Sequence, residues 1–332
     1  MNYEDILANL KKKIYHPVYF LMGEESYFID QITDYISKNV LTDAEKGFNQ
    51  HVLYGKDTDV DTIITHSRRF PMMANHQVII VKEAQNIRKI EDLEAYIKAP
   101  LKSTILVINY KYKSIDKRKG FAKQLAKNCV LFESKKIYDN KLPAWINGYL
   151  SSHGYSIEPQ ASAMLAEYLG TDLSKVTNEL NKLIISLPKG TKISPDHIEK
   201  NIGVSKDYNI FELQNALGTK NVLKTNQIIS YFAANPATNP FTRTIGSLYF
   251  YFSKLLKFHF LKDKSPNSVA SALQINPFFV RSYTDAAKVY NPKKLVAIIG
   301  ILREYDMKSK GMGNVSTSHG DLQKEMIYKI LH

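Results

Sequence analysis

The chain has 332 residues, 44% of them hydrophobic, and a net charge of +13, which is length enough for two or three domains. No apolar run approaches the roughly 18 residues of a membrane span, and the acidic start Met1-Asn2-Tyr3-Glu4-Asp5 lacks a signal-peptide core, so a cytoplasmic protein with no membrane partner is expected. The single cysteine, Cys129, excludes an intramolecular disulfide and a multi-cysteine zinc site.

In chain order, Ile6, Leu7 and Leu10 open a helix and Val18-Tyr19-Phe20-Leu21 forms a buried strand. Ile29 to Val40 has helical spacing, Asn49 to Tyr54 reads as a strand, and Val60 to Arg68 as a helix. Val78-Ile79-Ile80-Val81 and Thr104-Ile105-Leu106-Val107-Ile108 are apolar on both faces, as central parallel strands are. Val130-Leu131-Phe132 adds a short strand. Strands alternating with helices predict a parallel α/β sheet.

Beyond Tyr138 the pattern is helical, with no further strands expected. Helices are predicted over Leu142–Leu150, Pro159–Tyr168 and Leu173–Leu187, the last capped by Asp172, and a short one starts at Pro195. Asp207 to Asn209 leads into a larger helical region with helices near 241–261, 266–273, 277–289, 292–307 and 321–331. The fold class is therefore α/β plus all-α in three parts: 1–138, 139–205 and 206–332. Residues 1–138 carry 22 Lys/Arg against 17 Asp/Glu, residues 139–205 six against seven, and residues 206–332 17 against eight. The basic excess thus sits mainly in the last third, where it favours a phosphate backbone; lysine-rich solubility is the competing reading.

Residues Pro17 to Asp30 read as strand, glycine turn, helix, which is where a phosphate-binding loop would sit. Such a loop needs glycine N–H groups around the phosphates, a lysine, and a Ser/Thr for magnesium. Only Gly23 is present, and Glu24-Glu25 puts two negative charges where a triphosphate would lie. Carboxylates at a helix N-terminus are stabilising, so Glu24 and Glu25 read as structural residues. No nucleotide, metal or other cofactor and no catalytic residue is expected. The nine histidines show no i, i+4 pair, and no nucleophile-elbow pattern occurs.

Four segments in order give the chain a resemblance to the delta subunits of bacterial DNA polymerase III clamp loaders. They are Tyr19 to Glu25, which looks like that family's degenerate phosphate loop; Gly170 to Leu183; Asn209-Ile210-Phe211-Glu212-Leu213 after Ile193 to Glu199; and Tyr305 to Gly311. The resemblance implies a degenerate AAA+-like α/β domain, a helical lid domain and a helical collar domain for oligomerisation. It also implies a function: binding and opening the DNA sliding clamp (beta) during replication, without ATP binding or hydrolysis. Partners would be the clamp, the motor subunits and delta prime in a heteropentamer, and primed DNA within the assembly. Lys82-Glu83 stands where a magnesium motif would follow the 78–81 strand, and Lys127-Asn128-Cys129 where motor subunits carry an arginine finger. In delta subunits an adjacent apolar pair enters a pocket of the clamp; Met72 and Met73 stand at the matching positions, with Phe70 beside them. Periodicity alone would place the two methionines in a core.

Lys308, Lys310 and Met312, near glycines in the basic last third, are possible DNA contacts. The basic run Lys111 to Lys127 reads as a solvated face or as a DNA or acidic-partner contact, and Phe278 and Phe279 as collar core or base-stacking groups. The alternatives are a stand-alone DNA-binding scaffold, a delta prime-like subunit, and an active AAA+ or P-loop NTPase. The first is motivated by the basic C-terminal segment. The second normally keeps the arginine and zinc cysteines missing here, and the third would need the lysine missing after Gly23.

Overall fold

The computed structural model describes residues 1–205, 207–314 and 316–332. The chain divides into two compact units, Met1–Ile137 and Tyr138–His332.

The first unit is a parallel five-stranded sheet between two helical layers. Its elements are α1 (Tyr3–Lys11), β1 (Val18–Gly23), α2 (Ser26–Asn39), α3 (Asp43–Asn49), β2 (Gln50–Tyr54), α4 (Val60–Ser67), β3 (Gln77–Lys82), α5 (Glu94–Ile97), β4 (Thr104–Lys111), α6 (Gly120–Asn128) and β5 (Val130–Ser134). The strand order is β2-β3-β4-β1-β5, every pair is parallel, and Val18 stands opposite Leu106. Successive strand residues face opposite ways, so β1 divides itself between two cores. Val18, Phe20 and Met22 pack with Ile63 of α4, Leu93, Tyr96 of α5 and Phe121 of α6. Tyr19 and Leu21 pack on the other face with Ile6 and Leu10 of α1 and Ile29, Ile32 and Ile36 of α2. The α/β expectation is borne out. One boundary is corrected: Asn49 does not begin the strand but ends α3, a short polar helix that sequence periodicity missed because Gly47 and four polar residues leave it no apolar stripe.

The second unit is mostly helical: α7 (Leu142–Ser152), α8 (Pro159–Leu169), α9 (Leu173–Ser186), α10 (Pro195–Ile202), α11 (Ile210–Gly218), α12 (Val222–Ala234), α13 (Phe241–His259), α14 (Pro266–Leu273), α15 (Val280–Val289), α16 (Pro292–Ser309) and α17 (His319–Leu331). Asp172 caps α9 as expected, accepting from the Ser174 and Lys175 N–H groups. The expectation of no strands past Tyr138 is corrected. Ser156–Ile157 and Lys192–Ile193 pair as β6 and β7, each two residues long and too short to show alternation. The larger core is organised on α13, whose Leu248, Phe252 and Leu255 are fully buried among Ile298 and Leu302 of α16 and residues of α11, α12, α15 and α17. The buried Tyr290 hydroxyl donates to the Leu217 carbonyl at 2.7 Å. Phe279 is half-buried and stacks on the half-buried Phe211 with centroids 5.8 Å apart, and Phe278 is exposed, so the core reading of that pair is corrected: neither joins the buried cluster. No helix among the described residues is long and apolar enough to cross a membrane.

Candidate functional site

The turn after β1 is the first place to look for chemistry, because ligands of open α/β sheets bind at the carboxyl ends of strands where the order reverses. Gly23 ends β1 with φ +125°, and a Cβ there would run into the Ser134 backbone carbonyl. The turn's polar groups are already engaged. The Gly23 N–H donates to the Lys113 carbonyl (3.0 Å), Tyr112 N–H donates to the Gly23 carbonyl (2.8 Å), and Glu24 N–H donates to the Ser134 carbonyl (3.0 Å). The Ser134 hydroxyl closes on the Glu25 carbonyl at 2.6 Å. Buried Glu25 is the N-cap of α2 and accepts the Tyr27 N–H at 3.0 Å. The N-terminus of α2 therefore carries a built-in anion, and the neighbouring strands have consumed amides that would face a phosphate. Lys111, the nearby cation, is held by Asp30 at 2.6 Å. At the end of β3, Glu83 occupies a left-handed conformation (φ +53°). Among the described residues no group of three His, Cys, Asp or Glu side chains could hold a metal ion.

A different geometry holds at the segment between α4 and β3. Its side chains point outward: Phe70 is 76%, Met72 61% and Met73 101% exposed. A core position for the methionines is ruled out. The backbone beneath them is tied down. Asn49, itself buried, accepts the Met72 N–H on Oδ1 at 2.7 Å and donates from Nδ2 to the Met72 carbonyl at 2.9 Å. The buried Gln77 amide lies within bonding distance of the Arg69 carbonyl, of the His66 carbonyl at 3.2 Å and of Thr104 Oγ1 at 2.7 Å. Thr104 Oγ1 donates to the Ser67 carbonyl at 2.9 Å, and the Tyr96 hydroxyl donates to that carbonyl at 3.2 Å. Pro71 restricts both itself and Phe70. Met73 is left-handed with φ +52°, a conformation that costs a non-glycine residue about 1–2 kcal/mol. Below the segment the His51 and His66 rings lie 5.1 Å apart. Burial, reinforced by Arg69 and His51, holds His66 below the usual imidazole range. The result is a stiff turn that offers an apolar pair to solvent. Asn49 and Gln77 were not singled out from the sequence; a lone amide in a polar stretch gives no pattern.

The remaining candidates are placed in other settings. Lys308 Nζ meets Glu304 at 2.8 Å and lies over the Tyr305 ring at 4.7 Å. Lys310 meets Asp306 at 2.7 Å. The Glu304 carboxylate beside Lys308 holds that ammonium above the usual lysine range. Met312 is exposed in the turn beyond α16. In the basic run, Lys117 pairs with Glu133 at 2.5 Å and Arg118 with Asp116 at 2.8 Å, while Lys119, Lys123 and Lys127 are exposed on and just before α6. Cys129 is half-buried, and burial pushes its thiol up to about 12.

The first unit thus combines a parallel sheet, a glycine turn capped by a carboxylate at the carboxyl end of β1, and an apolar pair presented to solvent before the amino end of β3. The family model for the DNA polymerase III delta subunit matches residues 19–135. The chain is 26% identical over 319 residues to the DNA polymerase III subunit delta of Bacillus subtilis (strain 168), covering 92% of this chain and 91% of that one. Among solved structures, the Bacillus subtilis DNA clamp loader delta protein superimposes with a TM-score of 0.57 at 23% identity, covering 99% of both chains. Over nearly its whole length the chain is thus similar to DNA polymerase III delta subunits.

Proposed function

We propose that this chain is the clamp-binding and clamp-opening subunit of a DNA polymerase III clamp loader, and that it neither binds nor hydrolyses ATP. The observation that carries the reading is the exposed Met72–Met73 pair on a pinned turn. Burying such a pair in a pocket yields on the order of 1.5–3 kcal/mol per side chain, and a rigid display loses little ordering entropy on binding. Methionine suits a pocket whose shape must adapt. Clamp opening then follows from differential affinity: a subunit that binds the open ring more tightly than the closed ring shifts the population toward open.

The part played by nucleotide is assigned to neighbouring motor subunits, whose ATP state would control access to the 70–73 segment. Three functional parts are proposed: residues 1–138 as clamp-contacting domain, 139–205 as lid and 206–332 as the collar that joins the motor subunits and delta prime. Lys308, Lys310 and Met312 are carried forward as DNA contacts of the assembly. A phosphate would compete with Glu304 and Asp306 for these lysines. Their joint replacement by alanine should therefore lower the salt slope of DNA binding by less than the about one unit per lysine of a free phosphate contact.

The test is calorimetric titration of the purified chain with the sliding clamp of the same organism, without nucleotide. Saturable binding is expected, abolished by Met72→Ser with Met73→Ser while the thermal midpoint stays unchanged. Equal affinity of the double variant would overturn the site, and salt-sensitive DNA binding with no clamp binding would favour a DNA-binding scaffold.

A further inference from the structure

The Met72 backbone is recognised by a side chain in the way one strand recognises another. Asn49 accepts its N–H and donates to its C=O, at 2.7 and 2.9 Å, so both polar groups of one residue are satisfied by one amide. Only Asn and Gln carry a donor and an acceptor in that fork. The remaining donor capacity of Asn49 goes to the Glu45 carbonyl of its own helix at 3.0 Å. That bond, with the burial of Asn49, fixes the amide before it meets Met72. The helix beneath is closed at its other end by a reciprocal Thr42–Glu45 capping box. Immediately after the held residue comes left-handed Met73, the most exposed large hydrophobic side chain among those described.

We propose that Asn49 is the positioning residue of the clamp contact: its side-chain amide, bonded to both backbone groups of Met72, holds 70–73 in the binding conformation before the clamp arrives. The proposal rests on the clamp reading above. A segment that is free to fluctuate binds with an affinity reduced by the fraction of time spent in the competent state. Asn49 keeps that fraction near unity. Its hydrogen bonds are to backbone groups and it is buried, so it sets the geometry of the display without contributing contact area.

The first measurement uses the unaltered chain alone. Hydrogen exchange of the Met72 amide should be slow although its side chain is exposed, and fast exchange would overturn the proposal. The second compares Asn49→Ala and Asn49→Gln, which keeps the amide but shifts it by a methylene, with the Met72→Ser/Met73→Ser variant. Asn49→Ala should speed exchange at Met72 and weaken clamp binding by about ten- to a hundredfold, with Asn49→Gln intermediate and the rest of the exchange pattern unchanged. Undiminished binding by Asn49→Ala, where the serine variant fails to bind, would overturn the positioning role and leave the clamp contact standing. Undiminished binding by all three would overturn both. Should Asn49→Ala fail to fold, the exchange rate in the unaltered chain and the Asn49→Gln affinity still decide the matter.

Discussion

At the scale of single residues, stability and binding are assigned to different atoms. Met73→Gly illustrates the separation. Glycine relieves about 1–2 kcal/mol of left-handed strain and adds about 0.5–1 kcal/mol of unfolded-state entropy. Denaturant unfolding should therefore shift by no more than about 1 kcal/mol, while titration should show clamp affinity falling with loss of the side chain. Gly23 is the opposite case. A methyl group there meets the Ser134 backbone in a conformation that disfavours side chains, so Gly23→Ala should cost about 2–3 kcal/mol in urea unfolding. Cys129 and Tyr19 give a pH dependence. Burial raises both to about 12, whereas unfolded they ionise near about 8.5 and 10. The unfolded chain loses these protons first, so stability should fall as pH rises from about 8.5 toward 12. An unfolding midpoint flat across that window would contradict the burial of both groups.

At the scale of elements, what could be read from sequence followed the strength of the local pattern. The central strands β3 and β4 announce themselves as β-branched runs and β1 as an apolar one, because each fills two cores at once, whereas the edge strand β2 has no buried residue. The α9 helix was readable from Asp172 and its period, and Asp172→Ala should lower its stability by about 1 kcal/mol, measurable as a drop in thermal midpoint. By contrast α3, β6 and β7 lack the length or apolar content to show a period. The 84–93 stretch is built from 3₁₀ turns around Ala84, Ile90 and Leu93, and short turns of that kind leave no repeat to detect. The 70–73 segment shows the same divide. Met72 and Met73 were visible only through resemblance, since periodicity favours a core for them. The amides that hold the segment come from 23 residues before and five after Met72, a tertiary fact that no window of sequence contains.

At the scale of the whole molecule, the two compact units are joined through an exposed stretch. Lys135, Lys136 and Lys141 lie exposed around the junction at 137/138. Exposed connecting chain is the preferred site of nicking. Brief trypsin treatment should therefore release fragments ending near 136 and beginning near 137, readable by intact-mass measurement; early cleavage elsewhere would show the junction to be protected. The basic excess, concentrated in 206–332, belongs to this scale too, since net charge governs association and its salt dependence rather than fold.

The closed turn after β1 bears on whether this frame could be returned to nucleotide chemistry. Loss of a phosphate site is usually described as loss of a few side chains, and so as something a few substitutions could repair. Here the main chain itself is engaged: Gly23 and Glu24 amides belong to the flanking strand ends, and Ser134 ties down Glu25. Glu24→Lys with Glu25→Thr would write Gly-Lys-Thr after β1, still with Val18 at the place of the motif's first glycine, and would leave these amides spoken for. Such a chain should show no heat on titration with ATP and magnesium, because these main-chain groups keep backbone partners that side-chain changes leave in place.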